Sequence, residues 1–332
     1  MEHRYLGRTG VRVAQLGLGT MTFGRETPED ESRRILDRYL DAGGNFVDTA
    51  DVYGGGASEE ILGRALGARR DAVVLATKFR MDLGTGLNDR GASRRHLRRS
   101  LEASLRRLRT DWIDLYQVHC WDHHTRLEET LSTLDDVVRE GKVRYVGASN
   151  YAGWHLAEAL GLQARHGWEP FISIQAQYSL ITRGIEREVL PCAGHHGLAV
   201  LPWSPLGGGI LTGKYRRDAE PPPGVRATDA TPSAVLMRQR IAESRNYRVA
   251  ELVTTIAAET GRTPAQVAIN WVLHRPGVTA PLLGARTLAQ LEDNLGALGW
   301  RLDDEACARL DEASAEDAGY PYDFIAWVHS RS

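Results

Sequence analysis

Cysteine is scarce in this sequence: its 332 residues include three, Cys120, Cys192 and Cys307, with no C-x-x-C spacing. Three thiols cannot all pair within one chain, which argues against a disulfide scaffold or a zinc ribbon and fits a reducing compartment. Charge imbalance is lacking too. The 41 Lys and Arg against 43 Asp and Glu leave a formal charge of -2, which gives no support to a polyanion-binding role. No apolar signal region opens the chain at Met1-Glu2-His3-Arg4-Tyr5, and no run of about 18 apolar residues occurs. The expectation is a cytoplasmic protein without a membrane or nucleic-acid partner. Also missing is a G-x-G-x-x-G turn: Gly17-Leu18-Gly19-Thr20-Met21-Thr22 ends in threonine. That absence disfavours a doubly wound dinucleotide-binding sheet.

What the chain does have is rhythm. Hydrophobic residues make up 42% and charged residues 25%, enough for a sizeable core. Arg4-Tyr5-Leu6 and Val11-Arg12-Val13 flank Gly7-Arg8-Thr9-Gly10 and read as a small β-hairpin. Strand-like and helix-like segments then alternate. Strands are expected at 15–18, 45–47, 73–77, 112–118, 143–148, 172–175, 198–201 and 279–283. The first helix is expected over 29–42, with Thr27 as N-cap, Pro28 at its first position and Gly43 stopping it. The second is expected from Ser58 as N-cap to Leu66. Leu97, Leu101, Leu105 and Leu108 form an apolar stripe at helical spacing in the third. The stretch from Lys214 to Ser233, with Pro221, Pro222, Pro223 and Pro232, interrupts the alternation and reads as a long surface loop. Eight strand signals, each followed by a helix, predict a (β/α)8 TIM barrel with an N-terminal β-hairpin and extra C-terminal helices. One domain is expected to span residues 1–332.

In such a barrel the chemistry gathers where the strands end. Asp48 ends the second strand, Tyr53 lies in the loop after it, Lys78 follows the third and His119 the fourth. A phenol is a poor acid at neutral pH. An ammonium at Lys78, held by Asp48, is expected to pull the Tyr53 pKa down, and His119 to orient a substrate carbonyl. A carbonyl protonated at oxygen needs a hydride at carbon, which side chains do not supply, so a nicotinamide cofactor is implied. Ser149, Asn150 and Gln175 suit its carboxamide, and Trp203 offers a ring for stacking. Ser204-Pro205-Leu206-Gly207-Gly208-Gly209 lets backbone approach a pyrophosphate, with Lys214 beyond it. Gly284-Ala285-Arg286-Thr287 opens a helix whose N-terminus favours anions, with Arg286 suited to a 2′-phosphate. Chemistry alone leaves a Schiff-base lysine aldolase open at Lys78.

The sequence resembles an aldo-keto reductase along essentially its whole length. The resemblance is carried by Asp48-Thr49-Ala50-Asp51-Val52-Tyr53-Gly54, by Gly141 through Asn150, and by Gly284-Ala285-Arg286 through Gln290 to Asn294. It implies that Asp48, Tyr53, Lys78 and His119 are the catalytic tetrad. It further implies that Gly19, Thr20 and Met21 line the nicotinamide side, that Gln290 and Asn294 reach the adenine, and that the cofactor is NADPH/NADP+. Trp203-Ser204-Pro205-Leu206 resembles the branch that holds bacterial general reductases, aryl-alcohol dehydrogenases and potassium-channel β subunits. The function implied is NADPH-dependent reduction of a small carbonyl substrate; the alternative is an NADPH-binding sensor subunit with slow turnover. A homo-oligomer stays open, because a barrel exterior carries no periodic signal for one.

Other conspicuous residues have plainer readings. Trp121 is expected to line the substrate mouth, and His123-His124 with Asp122 to be a solvated loop rather than a metal site. Arg94, Arg95, Arg98, Arg99, Arg106, Arg107 and Arg109 read as the solvated face of an outer helix. The tail residues Tyr320, Tyr322, Phe324 and Trp327 either reach over the pocket or pack on the barrel.

Overall fold

A computed structural model describes residues 1–84, 86–215, 239 and 243–330. The part of the expected Pro-rich loop from 216 to 233 lies outside the described residues. The hairpin forms as β1 (His3–Tyr5) paired antiparallel with β2 (Arg12–Ala14). Eight further strands follow: β3 (Gly17–Gly19), β4 (Phe46–Asp48), β5 (Val74–Phe79), β6 (Ile113–Val118), β7 (Val143–Ser149), β8 (Phe171–Gln177), β9 (Ala199–Trp203) and β10 (Leu282–Gly284). They are parallel and close into a barrel in sequence order, β10 returning to pair with β3. The expected fold is therefore present.

Strand alternation builds the interior in two storeys. Phe46, Ala76, Leu115, Leu201 and Leu282 fill the lower one, and Leu6 and Val13 close it from below. Two residues further along three of these strands, Asp48, Lys78 and Gln117 stand at the upper level, joined there by Gln175 of β8. The register puts Lys78 opposite Gln117 and Ser149 opposite Gln175. The same alternation turns Val47, Leu75 and Val146 outward into the larger core shared with the surrounding helices.

Those helices include α1 (Glu29–Asp41), α2 (Ala57–Leu66) and α3 (Arg94–Leu108). The α3 leucine stripe is buried throughout, and truncating one such leucine to alanine costs about 2–5 kcal/mol. Its arginines face acids: Arg98 pairs with Asp136 and Glu140, Arg99 with Asp89 and Arg107 with Glu59. Two expected caps are corrected. Pro28, not Thr27, occupies the cap of α1, and the Thr27 hydroxyl instead donates to Arg286 O at 3.4 Å. Gly56 caps α2, and Ser58 lies inside it, where its Oγ donates to Thr20 O at 2.9 Å. Both hydroxyls serve to fasten neighbouring loops rather than to start helices. The C-terminal helices are Asp304–Ala313 and Tyr322–His329. The second buries none of its residues, and Tyr322 OH donates to Glu188 at 2.5 Å.

Candidate active site

Strand ends bring Asp48, Lys78 and His119 to one face of the barrel, and a turn held by Tyr53 N–H donating to Ala50 O at 3.1 Å adds Tyr53. Lys78 is fully buried. Its ammonium donates to Asp48 Oδ1 at 2.5 Å, to Thr49 O at 2.7 Å and to Tyr53 OH at 3.4 Å. The other Asp48 oxygen accepts from Gln175 Nε2 at 2.8 Å and from Gln117 Nε2 at 3.2 Å. His119 lies edge-on to the Tyr53 ring, centroids 5.8 Å apart, and its backbone N–H donates to Phe79 O at 3.0 Å.

The electrostatics follow from this packing. Burial works against the Lys78 charge, but the Asp48 carboxylate and the Tyr53 hydroxyl outweigh it and hold the ammonium above the usual lysine range. Burial, with Lys78 and Arg80 adding repulsion, pushes His119 down to about 3, so its imidazole is neutral. Among the described residues His119 Nδ1 has no hydrogen-bond partner. Tyr53 departs from the expected direction: burial raises its pKa, and the Lys78 ammonium only offsets part of that rise. The expectation of a lowered phenol is corrected for this arrangement, because removing water penalises the phenolate more than one ammonium at 3.4 Å favours it.

The other candidate residues fall into three groups. Gln175, Ser149 and Asn150 lie beside the tetrad, but their polar atoms are partly engaged within the protein. Gln175 Nε2 also donates to Gln117 Oε1 at 3.3 Å. Asn150, in the left-handed region at φ 54°, donates to His119 O at 2.8 Å and Ser149 Oγ at 3.0 Å. Its own Oδ1 accepts from Trp203 Nε1 at 3.1 Å, which fixes the indole plane. Gly19 pairs with Asp48 across β3 and β4. Thr20, next along, is fully buried, its hydroxyl donating to Asp48 O at 3.0 Å, and Met21 is half-buried beyond it.

The second group surrounds a turn after β9. Ser204 accepts from Gly208 N–H at 3.0 Å, Pro205 and Leu206 follow, and Gly207, Gly208 and Gly209 all hold positive φ. A side-chain carbon at Gly209 would stand 2.6 Å from Lys214 Nζ. Only glycine lets this ammonium rest against the turn. An ammonium resting against a turn without side chains suits a phosphate, so the residues present fit the pyrophosphate of a dinucleotide.

The third group follows β10. Beyond Gly284, Arg286 faces Glu26 at 3.6 Å, and Leu288 N–H donates to Glu31 at 2.6 Å. Gln290 is engaged in a reciprocal cap, its Oε1 accepting from Arg286 N–H at 2.8 Å, and Asn294 is buried. Trp121 stacks on His155 with centroids 3.9 Å apart and meets Tyr151 edge-on. Asp122 is buried rather than solvated, accepting from Thr125 Oγ1 at 2.7 Å within its own loop and from Ala92 N–H at 2.7 Å across to the loop before α3, while His123 and His124 are exposed.

Sequence reasoning missed Gln117, Glu26 and Glu31. Gln117 carried a signal, since it stands one strand over from Lys78 and two residues before His119. The two acids carried none, because their approach to Arg286 and Leu288 joins segments over 250 residues apart.

The sequence profile of the Aldo/keto reductase family matches residues 15–315. An oxidoreductase of Bacillus subtilis, YrpG, is 41% identical over 98% of this chain and 100% of its own. Norsolorinic acid reductase stcV of Emericella nidulans is 35% identical over 97% of this chain and 84% of its own. A probable voltage-gated potassium channel subunit beta of Arabidopsis thaliana is 35% identical over 90% of this chain and 91% of its own. With the barrel closed, the strand-end site assembled and both comparisons covering nearly the whole sequence, this chain belongs to the aldo/keto reductase family and is an oxidoreductase.

Proposed function

We propose that the protein reduces an aldehyde or ketone with NADPH, Tyr53 giving the proton to the carbonyl oxygen. The observation that carries this reading is the Lys78 ammonium placed between Asp48 Oδ1 and Tyr53 OH. When bound, the nicotinamide supplies a hydride for the carbonyl carbon. The chain's own residues do the rest. Neutral His119 donates to the carbonyl oxygen and orients it beside Tyr53 OH. As the phenol proton leaves, the ammonium neutralises the phenolate, so its benefit grows toward the transition state. Asp48, anchored by Gln117 and Gln175, keeps the ammonium aimed. Gln175, Ser149 and Asn150 with the Trp203 ring offer a seat for the nicotinamide, the glycine turn with Lys214 one for the pyrophosphate, and Arg286 one for the 2′-phosphate. Gln290 and Asn294 lie on the adenine side. The whole chain acts as one barrel domain, and its three free cysteines support a reducing, cytoplasmic setting.

A second reading has a specific observation behind it: similarity to a protein named as a channel β subunit. In that reading the chain binds NADPH and reports on it, turning over slowly. One experiment separates the two. NADPH is titrated against tryptophan fluorescence, followed by NADPH oxidation with a panel of carbonyls. Binding with turnover supports the reductase; binding without turnover on any carbonyl favours the sensor; no binding sinks both. Tyr53→Phe is expected to lower turnover about 100- to 10,000-fold with the fold retained, the usual loss for a positioned general acid. Near-normal turnover in that variant rejects Tyr53 as the donor. Arg286→Ala is expected to weaken NADPH far more than NADH.

A further inference from the structure

A second acid lies behind the tetrad, and the proposed chemistry leaves it unused. Asp51 follows β4 by three residues, and its backbone N–H donates to Lys78 O at 3.1 Å, which fixes it against the strand end that carries the ammonium. Its side chain is fully buried, and among the described residues neither Oδ1 nor Oδ2 takes a hydrogen bond. A buried carboxylate without donors carries a desolvation penalty that the neutral acid avoids.

The donors nearby serve another group. Glu59 of α2, also fully buried, accepts from Arg107 Nε at 2.7 Å and from Thr77 Oγ1 at 2.6 Å. Gly56, at φ 103°, makes this possible, since a side-chain carbon there would stand 2.9 Å from Arg107 Cδ. The groups whose charges bear on Asp51 are Glu59 from α2, Arg107 from α3 and Lys78 from β5. In turn its charge bears on Tyr53 in the same loop and on Tyr116 of β6. Burial first, then the Glu59 carboxylate, push the Asp51 carboxyl up to about 8, against the opposing pull of Arg107.

We propose that Asp51 is a positioning residue for this site: a buried acid fixed behind Lys78 and Tyr53, given no donor among the described residues, whose charge when present opposes that of the Lys78 ammonium. It touches no substrate and acts through the field. While neutral, it leaves the Lys78 charge to act on the phenol undiminished. Once ionised, it opposes that charge, and Tyr53 becomes a weaker acid for carbonyl reduction and a scarcer base for alcohol oxidation. Both directions should slow as the pH passes through the Asp51 ionisation.

The inference rests on Tyr53 as proton donor, and the test keeps the two apart. The pH dependence of kcat is measured for wild type and Asp51→Asn with NADPH and a carbonyl that the enzyme accepts. The amide is neutral at every pH. The variant should match wild type below pH 7, keep its KM, and be on the order of fivefold faster at pH 9. In the infrared, wild type should show a buried carboxylic-acid band at pH 6 that fades through pH 8 and is missing from the variant. Asp51→Ala supplies the same neutral reference if the amide variant does not fold. Superimposed pH profiles, or no such band at pH 6, overturn the inference even where Tyr53→Phe is inactive. Normal turnover in Tyr53→Phe removes the reading beneath it as well.

Discussion

The barrel interior and the layer just outside it each bury one acid, Asp48 at the end of β4 and Asp51 in the loop after it, and they treat the two in opposite ways. Asp48 points inward and receives an ammonium and two amides. Asp51, three residues on, receives no hydrogen bond among the described residues, while the arginine that could have met it pairs with Glu59. Burial alone therefore says little about an acid's role. What matters is which strand face it occupies and which donors that face carries. Inside, partners exist because Lys78, Gln117 and Gln175 stand at the same level; outside, Thr77 and Arg107 are already committed.

Substitutions can break this contrast, beginning with the largest effect. Asp48→Asn leaves the Lys78 ammonium buried without its counter-charge, and chemical denaturation should show a loss of about 3–5 kcal/mol. A loss below about 1 kcal/mol would mean that water or another acid replaces Asp48. Next come the two pH slopes, which should have opposite signs. Asp51 has a folded-state pKa of about 8 against an ordinary 3.8, so the folded state binds the extra proton. Its contribution is fully present below about pH 4 and is lost as pH rises through 8. His119, at about 3 against 6.5, binds its proton more weakly when folded. Its contribution is present above about 6.5 and is lost as pH falls toward 3. Asp51→Asn should thus flatten the fall in unfolding free energy between about pH 4 and 8, and His119→Asn the fall from about pH 6.5 toward 3, each by an amount on the order of a few kcal/mol. Slopes unchanged in either variant would remove that group from the account. The smallest effect belongs to Gln117→Leu, which deprives one Asp48 oxygen of one of its two donors. Unfolding should then cost about 1–3 kcal/mol less, with Asp48→Asn Gln117→Leu no worse than Asp48→Asn alone if the amide acts only through the acid.

Much of this was legible from order and spacing. The alternation of strand and helix signals specifies a parallel barrel because each crossover must carry the chain back over the sheet before the next parallel strand begins. Once closed, the barrel has to gather the residues at its strand ends, so Asp48, Lys78 and His119 could be placed together from three separate stretches of sequence. The caps were less legible. Thr27 and Ser58 are ordinary N-cap residue types, yet each hydroxyl found a partner in a distant segment. Local propensity competes with such partners and loses when a loop must be fastened.

Sequence by itself determined the barrel, the strand-end constellation and the glycine turn after β9, since these depend on periodicity, residue type and order. Only the tertiary structure decided that the Tyr53 phenol is raised rather than lowered, that Gln117 anchors Asp48, that Glu26 and Glu31 crowd the Arg286 end, and that Asp51 is left without donors among the described residues. Those outcomes depend on how much water is excluded and which side chains arrive from other elements. Neither quantity is encoded in the spacing of the residues concerned.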